Sequence, residues 1–578
     1  MDAFRLAYTT TPKRWHGQYR HGIYVQIATH MPTSPLPSAH ESRKLPTYKD
    51  TPFAALRFDN RFIRELPHDP DQTNQRRQVH GACYSLVQPT PVSSPRVIAH
   101  AKEVAALLGL SADAQEHATF AEIFGGCALA EGMTPYAACY GGHQFGNWAG
   151  QLGDGRALGL GEVLTSSGTH WEVQLKGAGP TPYSRGADGR AVMRSSVREF
   201  LCSEAMHHLG VPTTRALSLV ATGDSVIRDM FYDGHPAPEP GAIVCRVAPT
   251  FLRFGNFEIF TARRDVDRLR LLADYTLRHH FPDLGRPHRD SYVRLLGTIA
   301  ERTARLMVEW QRVGFVHGVM NTDNMSILGL TIDYGPYGWL EDYDPMWTPN
   351  TTDAAGRRYA FGNQPHIAFW NLVRLAEALY PLIEDAAPIK EALLAYPHTF
   401  EREQQAMMMR KLGLTTWRPT SDDALEKELY RVFQLVETDM TVFFRKLALL
   451  RQDQANLSQF LDETLSDAYY HPQDLSGPHR EAILDFLALY RHRISDQPLR
   501  DEDRRAAMNA TNPHVVLRNY LAQLAIDRAE QGDGSLVYEL LDVLRNPYDD
   551  NPTWSQYAAK RPEWARHRPG CSSLSCSS

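Results

Sequence analysis

The segment His317, Gly318, Val319, Met320, Asn321, Thr322, Asp323, Asn324, with Asp333 nine residues on, holds the side chains best suited to chemistry. Asn324 and Asp333 offer hard oxygen donors of the kind that hold Mg²⁺ or Mn²⁺ against phosphates. Asp323 is the only carboxylate inside the loop and so the only candidate general base there. His317 sits two residues before Val319 and reads as a packing residue of the loop rather than a catalyst.

Phosphate chemistry needs cations and a close-fitting backbone, and the chain upstream supplies candidates for both. Gly153 and Gly155 flank Asp154, and Arg156 follows, so a tight turn and a fixed cation lie together. The alternation of Leu158 and Leu160 with Ala157, Gly159 and Gly161 then predicts a strand. A second strand is predicted over 171–176, with Trp171, Val173 and Leu175 on one face and Glu172, Gln174 and Lys176 on the other. Lys176 therefore ends a strand, as a phosphate-gripping lysine would. A helix is predicted from Ser195, stopped by Gly210 and Pro212. Its Glu199 either pairs with Lys176 or closes a capping box with Ser196, and Glu204 is a rival partner for the lysine. Arg246 and Arg253 follow apolar runs and carry guanidinium forks suited to a polyphosphate.

The elements that must position the loop are legible too. An amphipathic helix is expected over 292–312, ended by Gly314, delivering His317. The apolar stretch 327–332 predicts a short strand before Asp333. Further on, helical patterns dominate, including 424–450 and 481–490, and residues 334–365 read as a loop in which 357–364 is ordered by packing or by a client. The spacing of the whole resembles the protein-kinase pattern H-x-D-x-x-x-x-N followed by D-F-G, except that Val319 occupies the position of the kinase base. The fold class expected is therefore α+β and protein-kinase-like. A mixed α/β N-terminal lobe (46–260) binds nucleotide, and a mainly helical C-terminal lobe (261–565) carries the loop. Residues 1–45, poor in acids, read as a disordered extension, with a transit peptide as the alternative. Residues 566–578 read as a flexible, cysteine-containing tail.

Composition bounds the function. With 578 residues, 43% hydrophobic and 22% charged, the chain suits a large soluble body. A net charge of −6 gives no general pull towards nucleic acid, and no run of about 18 apolar residues predicts a membrane span. Seven cysteines without a C-x-x-C pair suggest neither a disulfide framework nor structural zinc. A cytoplasmic monomer is the expectation.

Together Gly153 to Arg156, Leu175 to Gly179, Asp188 to Arg190, His317 to Asn324, Thr331 to Gly335 and the tail Cys576, Ser577, Ser578 resemble the selenoprotein O family, from about Lys44 to the C-terminus. The resemblance implies a protein adenylyltransferase that binds ATP in a flipped orientation and passes AMP to Ser, Thr or Tyr of client proteins, releasing pyrophosphate. UMP transfer from UTP with Mn²⁺ is implied for bacterial-type members. It further implies nucleotide contacts from Gly153, Gly155, Arg156, Lys176, Asp188, Gly189, Arg246, Arg253 and Asp333. Asn324 and Asp333 would hold Mg²⁺ or Mn²⁺, and Asp323 would accept the proton. A redox role is implied for Cys576, in a disulfide that ties the tail to the body; this chain has no cysteine between Cys245 and Cys571, which departs from that pattern and leaves Cys571–Cys576 as a candidate pair. The other readings of the same residues are a kinase-type phosphotransferase using Asp323 and an inactive nucleotide-binding scaffold.

Overall fold

The computed structural model describes residues 45–49, 53 and 56–575, so the N-terminal extension and Cys576 lie outside the described residues. An eight-stranded sheet forms the first half. Its order is His68–Asp69, Tyr84–Leu86, Tyr136–Ala138, Ala157–Leu164, His170–Lys176, Ala237–Ala248, Arg215–Arg228 and Arg96–His100. The central strand His170–Lys176 runs antiparallel to both neighbours, with Lys176 opposite Ala157 on one side and Val244 on the other. Gln174 lies opposite Arg246, which puts the lysine and the first arginine on the same face of adjoining strands. Polar as that face is, Glu172, Gln174 and Lys176 are all buried, because the strand is covered on both sides.

The helix Met193–His208 packs on this sheet, and Gly210 at φ 75° ends it, as its sequence predicts. Ser196 lies inside the helix rather than at its cap, so the capping-box alternative for Glu199 does not form. The helix Arg289–Val313 buries Leu295, Leu296, Ile299, Leu306, Met307 and Trp310, and Gly314 at φ 75° turns the chain into the strand Phe315–Val316 that leads to His317. It packs against the long helices Gln364–Ile383 and Ala386–Lys411.

Three expected elements differ. The helical pattern over 424–450 forms two helices, Ser421–Val432 and Met440–Leu447. Asp439 restarts the chain by accepting a hydrogen bond from the Val442 amide at 3.0 Å. The stretch 327–332 makes no strand, only single bridges from Ser326 to Arg253 and from Thr331 to Thr213. Gly329, at φ 68° against Arg302, interrupts the extended run. Finally, the tail is packed through Ser575: Cys571 and Leu574 are buried, and Leu574 donates to the Pro349 carbonyl at 2.9 Å while accepting from the Thr351 amide at 2.7 Å.

The residue boundary at 260 falls inside a helix, Phe254–Ala262, which packs against Gln364–Ile383. The helices Asn519–Ala529 and Ser535–Leu544 return to cover Met193–His208. One apolar core accordingly runs from the sheet into the first helices of the second half, and a smaller one gathers around Phe443, Phe486 and Tyr490. Among the described residues no helix is long and apolar enough to cross a membrane.

Candidate active site

The sheet face and the loop around Asp333 meet in a cluster of five charged side chains. Lys176 Nζ lies 2.6 Å from Glu199 Oε2 and 3.9 Å from Asp333 Oδ1. Arg246 bridges the two carboxylates, with Nη1 2.9 Å from Glu199 Oε1 and also bonded to Asp333 Oδ1, while Nη2 donates to Gln174. Arg253 takes the other Asp333 oxygen, and its Nη1 also donates to the Asp323 carbonyl at 3.0 Å. Its guanidinium lies over the Tyr140 ring, 4.7 Å from the centroid. Glu204, the rival partner for Lys176, is instead held by Arg215 at 2.6 Å.

Burial penalises each of these charges, and the pairings offset it. It pulls the Lys176 ammonium below its usual value, against the attraction of Glu199. Burial alone would raise the Asp333 carboxyl, but Arg253, Arg246 and Lys176 hold it well below the usual carboxylate range. Asp333 keeps about a fifth of its side chain open to solvent, so an incoming ligand can reach it, with 20% exposure against 2% for either arginine. Its backbone is left-handed, φ 56°, an uncommon conformation for a non-glycine residue. His317 braces it: one ring nitrogen meets the Ile332 carbonyl at 2.8 Å, the other accepts from the Val319 amide at 3.3 Å, and the ring stacks on Trp310. That pattern requires the neutral tautomer and makes His317 a structural residue, as expected.

Asp323 lies in the turn Thr322–Asn324. Burial pushes its carboxyl up to about 7, against a hydrogen bond from Gln144 and the charge of Arg253. Asn324 donates Nδ2 to the Val319 carbonyl at 2.9 Å, which anchors the amide and leaves Oδ1 as its acceptor end. Asn324 Oδ1 and the Asp333 carboxylate are oxygen donors of the type a hard divalent cation takes. Among the described residues no group of three or more His, Cys, Asp or Glu is gathered to bind a metal.

The glycine turn is positioned by close packing. At Gly153, φ 74°, a Cβ would stand 2.4 Å from the Tyr183 ring, and at Gly155 it would stand 2.8 Å from the Tyr183 carbonyl. Asp154, which reads from sequence as a turn residue, is buried and accepts from the Ala138 amide at 3.0 Å and Gln174 Nε2 at 3.3 Å. Arg156 is half-buried, and its charge is one of those lowering Lys176. Asp188 is not drawn into the cluster: it is exposed and forks with Arg228, both contacts 2.8 Å. Gly189 is fixed by its approach to Gly179, where a Cβ would stand 2.2 Å from the carbonyl carbon.

Sequence reasoning missed the hairpin Gly141–Gln144 and Asn147–Gln151, which covers the loop. Its turn residues Phe145 and Gly146 both have positive φ, 50° and 86°. The His143 amide donates to Thr322 Oγ1 at 2.7 Å, Gln144 Nε2 to Asp323 Oδ2 at 3.1 Å, and the Phe145 amide to Asn321 Oδ1 at 3.1 Å. Tyr359 completes the network by donating to Asn321 Oδ1 at 2.5 Å, so the 334–365 segment is ordered here by packing. Gly146, in the two-residue turn, was the available signal for the hairpin.

The family described as protein adenylyltransferase SelO matches residues 70–545. The chain belongs to that family, and with it to the nucleotidyltransferases. It is 57% identical over 536 residues to the protein nucleotidyltransferase YdiU of Rhodopirellula baltica, covering 90% of this chain and 99% of that one. It is 58% identical over 527 residues to the YdiU protein of Aromatoleum aromaticum, again 90% and 99%. The YdiU protein of Methylobacillus flagellatus matches at 56% over 524 residues, 90% of this chain and all of that one.

Proposed function

We propose that this enzyme transfers AMP from ATP, with UMP from UTP as the related reaction, to Ser, Thr or Tyr hydroxyls of client proteins. The sheet-bearing half and the helical half act as the two lobes of a kinase-like cleft. The observation that carries the reading is the convergence of Lys176, Arg246 and Arg253 on Asp333, beside the buried carboxylate of Asp323. Three cations at one carboxylate suit a triphosphate tail, and nucleotidyl transfer depends mainly on positioning and charge neutralisation.

In this scheme Lys176, Arg246 and Arg253 hold phosphate oxygens, and Gly153, Gly155 and Arg156 shape the entry. Asp188 and Gly189 border it from the segment next to Gly179. Asn324 and Asp333 would hold Mg²⁺ or Mn²⁺, which supplies further neutralisation of the phosphates. The client hydroxyl gives its proton to Asp323; its oxygen bonds to the α-phosphorus as the bond to the β-phosphate oxygen breaks, and pyrophosphate leaves. With Val319 apolar where a kinase keeps its base, Asp323 is the carboxylate in reach of the loop.

The test uses ATP labelled at the α- or the γ-phosphate, incubated with the enzyme and cell protein. Label carried to protein from the α position alone is expected. Transfer from γ alone would make the protein a kinase, and transfer from neither would make it a binding scaffold; each outcome refutes the proposal.

A further inference from the structure

Asp323 is fixed at both ends. Its backbone carbonyl accepts from Arg253, and its Oδ2 accepts from Gln144 on the hairpin. The other carboxylate oxygen, Oδ1, is buried and has no hydrogen-bond partner among the described residues. Such an atom is costly to leave unpaired, and an orphan acceptor beside a reaction centre points to a donor that arrives with the substrate. Above it stands Gly142, where a Cβ would lie 2.8 Å from Oδ1. Any side chain there would occupy the space that faces this oxygen.

The hairpin is not loosely laid on the loop. Three successive residues, His143, Gln144 and Phe145, bond to Thr322, Asp323 and Asn321. His143 is in turn held by Glu258 of the Phe254–Ala262 helix, Nδ1 to Oε2 at 2.5 Å. The Gln144 amide is therefore presented by a braced backbone, and its reach to one particular oxygen of Asp323 follows from the hairpin register.

We propose that Gln144 is a positioning residue for the transfer reaction. By occupying Oδ2 it fixes the carboxylate's rotation, so that Oδ1 remains the unpartnered oxygen that takes the client hydroxyl's proton, and Gly142 leaves beside that oxygen the space a side chain would fill. The inference rests on the reading of Asp323 as proton acceptor. Gln144 acts through Asp323, and among the described residues its side chain bonds to that carboxylate rather than to Lys176, Arg246 or Arg253, so its loss should affect kcat and leave nucleotide affinity alone.

The experiment compares Gln144→Met, Gln144→Glu and Asp323→Asn, and the Gln144→Met/Asp323→Asn double variant, each measured for kcat, KM for ATP and ATP binding by calorimetry. Gln144→Met, similar in size but without a donor, is expected to lower kcat by roughly 10–100-fold, the range of a hydrogen bond to a charged group, with ATP affinity within about twofold. Gln144→Glu, the same shape with an opposing charge, is expected to fall further. In the Asp323→Asn background Gln144→Met should have little further effect. Wild-type kcat in Gln144→Met, near-normal kcat in Gln144→Glu (the result of a packing role), or a full effect of Gln144→Met in the Asp323→Asn background would each overturn the positioning role. Asp323→Asn with wild-type kcat would instead overturn the base assignment on which it stands, so the two failures are distinct.

Discussion

Replacing Glu199 by glutamine removes one negative charge while keeping the side chain's shape. Glu199 is buried to 1% exposure and receives Lys176 at 2.6 Å and Arg246 at 2.9 Å. With Arg253 included, three cations then face the single carboxylate of Asp333. Breaking a buried ion pair by removing one partner costs about 3–5 kcal/mol. The glutamine carbonyl can still accept from one of the two donors, so a loss near the lower end, about 3 kcal/mol, is expected for the ligand-free protein. ATP brings phosphate charge to the same cations, so the variant should be stabilised by ATP more than the wild type is. Lys176, no longer held against the helix, should place the phosphates poorly, and kcat should fall at least 10-fold. Urea unfolding followed by tryptophan fluorescence, with and without ATP, measures the first two effects. Glu204→Gln is the control: it breaks the buried Arg215 pair and should destabilise without lowering kcat. A loss below about 1 kcal/mol for Glu199→Gln, with kcat unchanged, would refute the shared-carboxylate account.

Asp333→Ala should abolish label transfer from ATP to protein; retained transfer would remove Asp333 from the site. Glu172 offers a pH test away from the chemistry. Burial, and then the charge of Glu162 opposite it, raises its carboxyl above the usual range. The folded state keeps a proton that the unfolded chain releases, so this contribution is full below the ordinary carboxylate value and is lost as pH rises through the folded one. Glu172→Gln should therefore flatten the decline in unfolding free energy between pH 5 and 8, by up to about 1.4 kcal/mol per unit. Parallel curves for variant and wild type would contradict it.

What could be read in the sequence was what depends on local pattern. Strand alternation placed Lys176 at a strand end on the polar face, and loop spacing marked Asn324 and Asp333. The choice between Glu199 and Glu204 was not local: both lie on one helix, and the helix's rotation against the sheet decides which faces Lys176. Asp188 stands beside Gly189 in a recognisable run, yet its carboxylate goes to Arg228, a strand partner distant in sequence. The docking of the hairpin over Asp323 was not legible for the same reason, since its contacts join residues far apart in the chain. The broken helix at Asp439 had a cap signal, but the buried Arg518 that fixes it at 2.8 Å came from the far end of the chain.

Asp333 has one more consequence, which concerns selectivity among anions. Nη1 of each arginine is bonded to Asp333, so in the proposed scheme an arriving phosphate would exchange with an internal anion rather than fill a bare positive pocket. On that scheme a single inorganic phosphate would gain fewer contacts against a carboxylate held by three cations than a chain of phosphates able to engage Lys176 and both arginines together. The internal carboxylate would thus act as a threshold that sets polyphosphates apart from smaller anions.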